Sequence, residues 1–334
     1  MRIKILFLFF TLGVILKPVA QEITIKDYLV LGVEASEAIS ERYLQPVSKG
    51  LLYGLSSGWY HDARVPEPWK FRFSVAANGS FVPSDAKSFE LDITSFENLD
   101  VVGGGQRVRI PTVLGSTDSD VTFVATLEGE TFTFNAPTGI GLVELNLLPT
   151  AFLHVGMGLP WNSEVQFRYF PKLGLGDGSV GVVGLGLKHQ INSENGPWQS
   201  FPLDLAVMAA YTRLDAEYNL EEGGTVTGSG QRIEGAMNAW LTELLLSTRN
   251  THWNLFGGFG YVFGNSLYEL LGNYRIQLSD RAVEFNDPFD VRENVSGLRL
   301  TAGGSYTYRR FSVHLSYTLQ GFNNLAFGMH YNLY

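Results

Sequence analysis

The chain has 334 residues, a formal net charge of -9 and no cysteine. The acidic balance argues against a nucleic-acid partner, and the absence of thiols excludes disulfides, a lipid-modified cysteine and thiolate metal sites. It is rich in Gly, Tyr and Phe, its mean hydropathy is close to zero, and beyond the first twenty residues it has no apolar run of the ~20 residues that a spanning helix needs.

Arg2 and Lys4 followed by the apolar run Ile5 to Leu16 and the small-residue end Pro18-Val19-Ala20 read as a secretory signal, residues 1–20, with the mature chain starting at Gln21. This predicts Sec-type export. A helix is expected over residues 24–45, with Thr24 and Asp27 as a capping box and Pro46 as its stop. Ile25, Leu29, Ile39 and Tyr43 lie near one face of it. A Gly- and aromatic-rich stretch follows, from Gly50 to Tyr60. Residues 21–66 are therefore read as a helical segment that either plugs a barrel lumen or lies against its rim. The gate candidates on it are Tyr43, Tyr53, Trp59 and Tyr60.

From residue 67 to 334 the pattern is that of wall strands. Trp69, Phe71, Phe73, Val75 and Ala77 alternate with Lys70, Arg72, Ser74 and Ala76, which puts one set on each face of a strand. Residues 83–142 are short β-like runs separated by glycine-rich turns, readable as further wall strands or as an outer lobe. The alternation resumes at Ala151, Leu153, Val155 and Met157, turns at Pro160-Trp161-Asn162, and continues with Val165, Phe167 and Tyr169 opposite Glu164, Gln166 and Arg168. Val183, Leu185 and Leu187 then oppose Gly184, Gly186 and Lys188, and Leu205, Val207, Ala209 and Tyr211 oppose Asp204 and Thr212. Ile233, Met237, Ala239 and Leu241 begin another strand, and Trp253, Leu255, Phe259, Tyr261 and Phe263 mark the next. Residues 213–229 and 264–294 read as long acidic loops.

The last forty residues are the clearest. Leu298, Leu300, Ala302, Tyr306 and Tyr308, then Phe311, Val313, Leu315, Tyr317 and Leu319, then Leu325, Phe327, Met329, Tyr331 and Leu333 face one way, and Arg299, Thr301, Ser312, His314, Ser316, His330 and Asn332 the other. Three strands of about ten residues joined by tight turns fit a transmembrane barrel wall. The expected fold is all-β, an antiparallel up-and-down transmembrane β-barrel of about twelve strands (10–14), short turns on the periplasmic side and long loops outside. Tyr334 lies on the other parity from Leu333, so a terminal aromatic insertion signal is out of register. Such a chain belongs in a Gram-negative outer membrane, with outer-membrane lipids and the barrel-assembly machinery as its partners.

Seven charges fall on the polar face of predicted wall strands: Lys70, Arg72, Glu164, Arg168, Lys188, Asp204 and Arg299. With His314 and His330 they are the lumen-lining candidates. They read either as a salt-bridged filling or as a lining that selects solutes by charge. The six histidines sit at no metal-binding spacing, the acidic cluster from Asp280 to Glu293 matches no calcium loop, and no nucleophile–base motif occurs; no cofactor, metal or enzymatic activity is expected.

Several segments carry a family resemblance. Tyr43-Leu44-Gln45-Pro46 with Gly50, Tyr53 through Tyr60, Gly156-Met157-Gly158-Leu159-Pro160, Ser163 through Pro171, Gly184 through His189, and Phe201-Pro202-Leu203-Asp204-Leu205 resemble an uncharacterised family of Bacteroidota outer-membrane proteins, a domain of unknown function. More distantly, a helical segment ahead of a barrel is similar to the long-chain fatty-acid transporter family, which carries hydrophobic molecules past an N-terminal plug. By analogy this implies passive uptake of small molecules, a small hydrophobic ligand among them. The alternative reading is a non-transporting structural or surface-interaction barrel.

Overall fold

The computed structural model describes residues 25–140, 146–175, 177–192, 198, 200–220 and 226–333. The predicted signal, Thr24, Glu221, Glu222 and Tyr334 lie outside these residues. Ten strands form one closed barrel. They are β1 (Phe71–Phe81), β2 (Leu147–Leu159), β3 (Ser163–Leu175), β4 (Gly178–Gln190), β5 (Asp204–Asn219), β6 (Arg232–Ser247), β7 (Trp253–Leu271), β8 (Phe289–Tyr308), β9 (Phe311–Leu319) and β10 (Asn324–Leu333). Each pairs antiparallel with its neighbour in this order, and β10 closes on β1 from Phe71↔Leu333 to Ser80↔Asn324. Closure gives each spanning strand two neighbours, which is what a backbone needs where water is absent.

Side-chain alternation matches the expected register. On β9, Phe311, Val313 and Leu315 are exposed while Ser312 and His314 are buried. On β7 the outward apolar series runs from Trp253 to Phe263 and gives way to Asn265. Ten residues of strand cover roughly 34 Å, and a strand tilted by about 45° lifts that series about 25 Å, the height of a lipid-facing band. Trp69, Trp161, Trp253 and Tyr308 are strongly exposed and gather at the end with the tight turns, where amphipathic rings favour a headgroup layer. No helix among the described residues is long and apolar enough to cross a membrane.

The strand count is ten, at the low edge of the expected range, because residues 83–142 add nothing to the wall. Their strands are three to six residues long (Ser88–Asp92, Leu99–Val101, Arg107–Pro111, Thr122–Leu127, Glu130–Asn135) and pair only among themselves. They fold into a lobe at the long-loop end. There Thr94, through its hydroxyl and its backbone N–H, donates to the Asp92 carboxylate and holds it below the usual carboxylate range. The expected loops 213–229 and 264–294 are also shorter than read. β5 runs to Asn219, β7 to Leu271, and β8 starts at Phe289. These strands continue beyond the apolar band, where the outward face turns polar while Leu214, Tyr268, Leu270, Val291 and Val295 face inward into the core, so the outward hydrophobic period ends. Residues 226–227, 273–277 and 282–286 form a small separate sheet there.

The N-terminal segment has two helices, α1 (Ile25–Val30) and α2 (Val33–Leu55). The break falls at Gly32, whose φ of 83° suits glycine. Pro46 does not end α2 but sits inside it. A proline in a helix interior costs about 3 kcal/mol. Continuing the helix buries Val47, Leu51, Leu52 and Leu55, each contributing about 1.5–3 kcal/mol, so burial outweighs the lost hydrogen bond.

Candidate functional site

The lumen is filled by the chain's own N-terminal segment. Leu29, Ala35 and Ile39 pack with Leu91, Ile110 and Phe123 of the lobe and with Tyr274 of the small separate sheet. Further along, Val47, Leu51, Leu52 and Leu55 pack against wall residues Leu148, Met237, Ala239 and Val262. Met237, Ala239 and Leu241 thus face inward as an apolar patch. Gly50 permits this close approach, since a Cβ there would lie 2.5 Å from Leu148. Tyr43 donates its hydroxyl to the Thr138 carbonyl at 2.7 Å, and Tyr53 stacks on Phe322 with centroids 6.2 Å apart.

Toward the short-turn end the packing becomes ionic. A helix leaves its last carbonyls unpaired and carries a partial negative charge there. Arg168 of β3 donates to the carbonyls of Leu55 at 2.6 Å and Ser57 at 2.7 Å, and Arg299 of β8 donates to that of Ser56 at 3.0 Å. Thr212 adds a bond to Leu55 at 3.1 Å. Arg168 also donates to His154 Nε2 at 3.1 Å and lies between the rings of Trp59, 3.9 Å away, and Phe152, 4.1 Å away.

Three buried carboxylates complete the network. Glu243 accepts from Tyr60 at 2.7 Å and Thr301 at 3.3 Å, with Arg299 at 3.7 Å. Glu164 meets Lys188 at 2.8 Å and Arg72 at 3.6 Å. Asp62, on the N-terminal segment, lies 3.7 Å from Lys188 and 3.9 Å from Arg64. Against these stand the buried cations Arg72, Arg168, Lys188 and Arg299. Arg168 is the one with no carboxylate beside it among the described residues. The helix end and two aromatic faces take that place.

A histidine stack lies alongside. His61 of the segment stacks on His330 at 3.7 Å, His330 shares a 2.7 Å hydrogen bond with His314, and its other nitrogen meets Ser74 at 2.7 Å. Among the described residues no group of three or more His, Cys, Asp or Glu could hold a metal ion.

Of the sequence candidates, Arg72, Glu164, Arg168, Lys188, Arg299, His314 and His330 come together in this network. Asp204 is buried but binds Arg249 at 3.0 Å and Arg64 at 3.8 Å, toward the short-turn rim. Lys70 precedes β1 and is only half-buried, at the same rim. Missed by the sequence reading were Glu243, Asp62, His61 and His154. Glu243 carried a usable signal: it has the opposite parity to Trp240, Leu244 and Leu246, which point outward. The acidic cluster is largely neutralised within the chain. Glu284 lies 3.6 Å from Arg275, Asp290 lies 2.7 Å from Arg292, and Asp287 accepts from the Gly272 amide at 2.7 Å.

A sequence model for a family of unknown function, DUF6588, matches residues 1–333. The chain belongs to that family. No curated protein matches it. Among solved structures, this family member is similar to Ail, the attachment invasion locus protein of Yersinia pestis, at 9% identity and a TM-score of 0.27, covering 80% of this chain and 99% of that one. It is similar to the outer membrane protease OmpT from Escherichia coli at 11% identity and a TM-score of 0.26, covering 80% and 97%. A Pseudomonas aeruginosa FadL homologue aligns at 10% identity and a TM-score of 0.23, covering 84% and 96%.

Proposed function

We propose that this chain is an outer-membrane barrel that admits small molecules by passive passage, with residues 56–64 of its N-terminal segment as the gate. The observation that carries this reading is the chemistry of the gate. Its contacts with the wall include hydrogen bonds and ion pairs (Arg168 to Ser57, Arg299 to Ser56, Tyr60 to Glu243, Lys188 to Asp62), beside a small apolar cluster in which Trp59, Tyr60 and Ala63 meet Ala206, Met208, Leu241 and Phe256. Buried ion pairs add little net stability over apolar packing, and ionisable groups at membrane depth mark pathways. The polar contacts can be exchanged for water and solute, and opening then exposes only the small cluster around Trp59 and Tyr60, while the larger core under α2 stays packed.

A disulfide lock tests it. The Ala63 amide donates to Ser247 Oγ at 3.0 Å, and the chain has no cysteine of its own. In liposomes, Ala63→Cys/Ser247→Cys should lose solute-driven swelling on oxidation and regain it on reduction. Unchanged swelling under oxidation would sink the gate. A second reading, a barrel with no passage role, draws on the apolar core that ties Leu29, Ala35 and Ile39 to the lobe. Liposomes that never swell, with wild type or with gate variants, favour that reading.

A further inference from the structure

The wall is uneven in height. β7 and β8 have 19 and 20 residues, whereas β9 and β10 have nine and ten. β9 pairs with β8 only from Leu300 to Tyr308. Beyond that point, from Phe289 to Arg299, no strand among the described residues pairs with the second edge of β8. Above the short β9–β10 hairpin this leaves a cleft of about 620 Å³ between β8, the lobe and one face of α2. Its helical side is Arg42, Gln45, Lys49 and Tyr53, a stripe about 16 Å long at 1.5 Å per residue. Its volume lies in the range of small-molecule sites, ~300–1,000 Å³.

We infer that this cleft is a binding site for a small amphipathic anion, an apolar or aromatic body bearing one carboxylate or similar group. The body would meet Phe89 and the stacked pair Tyr53 and Phe322. The anionic group would meet Arg42. In this acidic chain the arginines of the lobe and long loops have carboxylate partners: Arg107 with Asp92, Arg109 with Glu90, Arg275 with Glu284, Arg281 with Glu128. Arg42 is exposed and, among the described residues, has none. Lys49, further along the same stripe, is 3.6 Å from Glu293 and supplies a second, partly neutralised cation. Asp85 lines the lobe side and pairs with neither. A guanidinium left open at one end of a cleft that also holds Phe89, Tyr53 and Phe322 matches a carboxylate in a fork geometry, with apolar surface along the cleft for the body. The site stands whether or not the ligand then passes through the lumen.

The test is isothermal titration of the full chain in nanodiscs, against empty nanodiscs, with 2-naphthoate and its neutral analogue 2-naphthalenemethanol. Wild type should bind 2-naphthoate saturably and at least tenfold tighter than the alcohol. Arg42→Ala should abolish that preference, and Arg42→Lys should keep part of it. Arg42 is exposed, so both variants should fold; heat-modifiable mobility checks this. Equal affinity for acid and alcohol, an unaltered preference in Arg42→Ala, or no saturable heat above empty nanodiscs each overturns the inference. No gradient is applied, so a barrel that binds 2-naphthoate but fails the swelling assay separates this site from the passage reading.

Discussion

Arg168, on the wall, stacks on Trp59, on the segment inside it, with the guanidinium carbon 3.9 Å from the ring centroid. The same guanidinium holds the end of α2 through two carbonyls. One side chain therefore fixes both where the helix stops and where the descending chain turns.

Arg168→Ala should release that junction. It leaves the Ser57 carbonyl without its charged donor and the Leu55 carbonyl with only Thr212; a buried unsatisfied group costs about 1–3 kcal/mol and a hydrogen bond to a charged group contributes about 1.5–3 kcal/mol. A loss of roughly 3 kcal/mol is expected in urea unfolding of the detergent-solubilised protein. Arg168→Lys should recover only part of it, since an ammonium cannot span both carbonyls as a fork does. Full recovery by lysine would mean that charge alone matters.

Glu243→Met should destabilise by about 3–5 kcal/mol, because Arg299 then stays buried without its carboxylate. The double variant Glu243→Met/Arg299→Met should recover much of that loss, since an apolar pair replaces a buried ion pair at little cost. A double-mutant cycle by chemical denaturation measures the coupling; strictly additive losses would refute the pairing.

Gly186 lies beneath Trp59, and a Cβ there would come 2.9 Å from the indole ring. Gly186→Val should still assemble as a barrel, because valine suits a strand, but with the indole displaced. Increased trypsin cleavage at Arg64, with normal heat-modifiable mobility, is the expected outcome. Cleavage at the wild-type rate would show that the ring is not held there.

The apolar band ends between Phe263 and Asn265 on β7. Asn265→Cys should therefore react with a membrane-impermeant maleimide on intact cells, and Phe259→Cys should not. Since the chain has no cysteine, any signal reports the introduced thiol. Labelling of Phe259→Cys would move the band.

How far the primary sequence could be read follows from the range of each interaction. Alternation along a strand is local: Leu315 and His314 reveal opposite faces because adjacent side chains must point apart. The barrel, its register and the inward side of Arg72, Lys188 and Arg299 were determined at that level. Where Asn265 and Arg292 leave the lipid band the alternation inverts, polar outside with Tyr268 and Val291 inside, and the strands extend further than the outward apolar series shows. The termination of α2 was misjudged for a different reason. Pro46 is a local signal against the helix, whereas the burial of Leu51 and Leu55 that overrides it requires wall residues such as Leu148, Met237 and Val262, more than ninety positions away. The same distance separates Glu243 from Tyr60 and Asp62 from Lys188. Which charges pair, and what lies in the lumen, was decided only when the sheet closed around α2, because a buried charge takes its partner from whichever strand the closed circle brings opposite it.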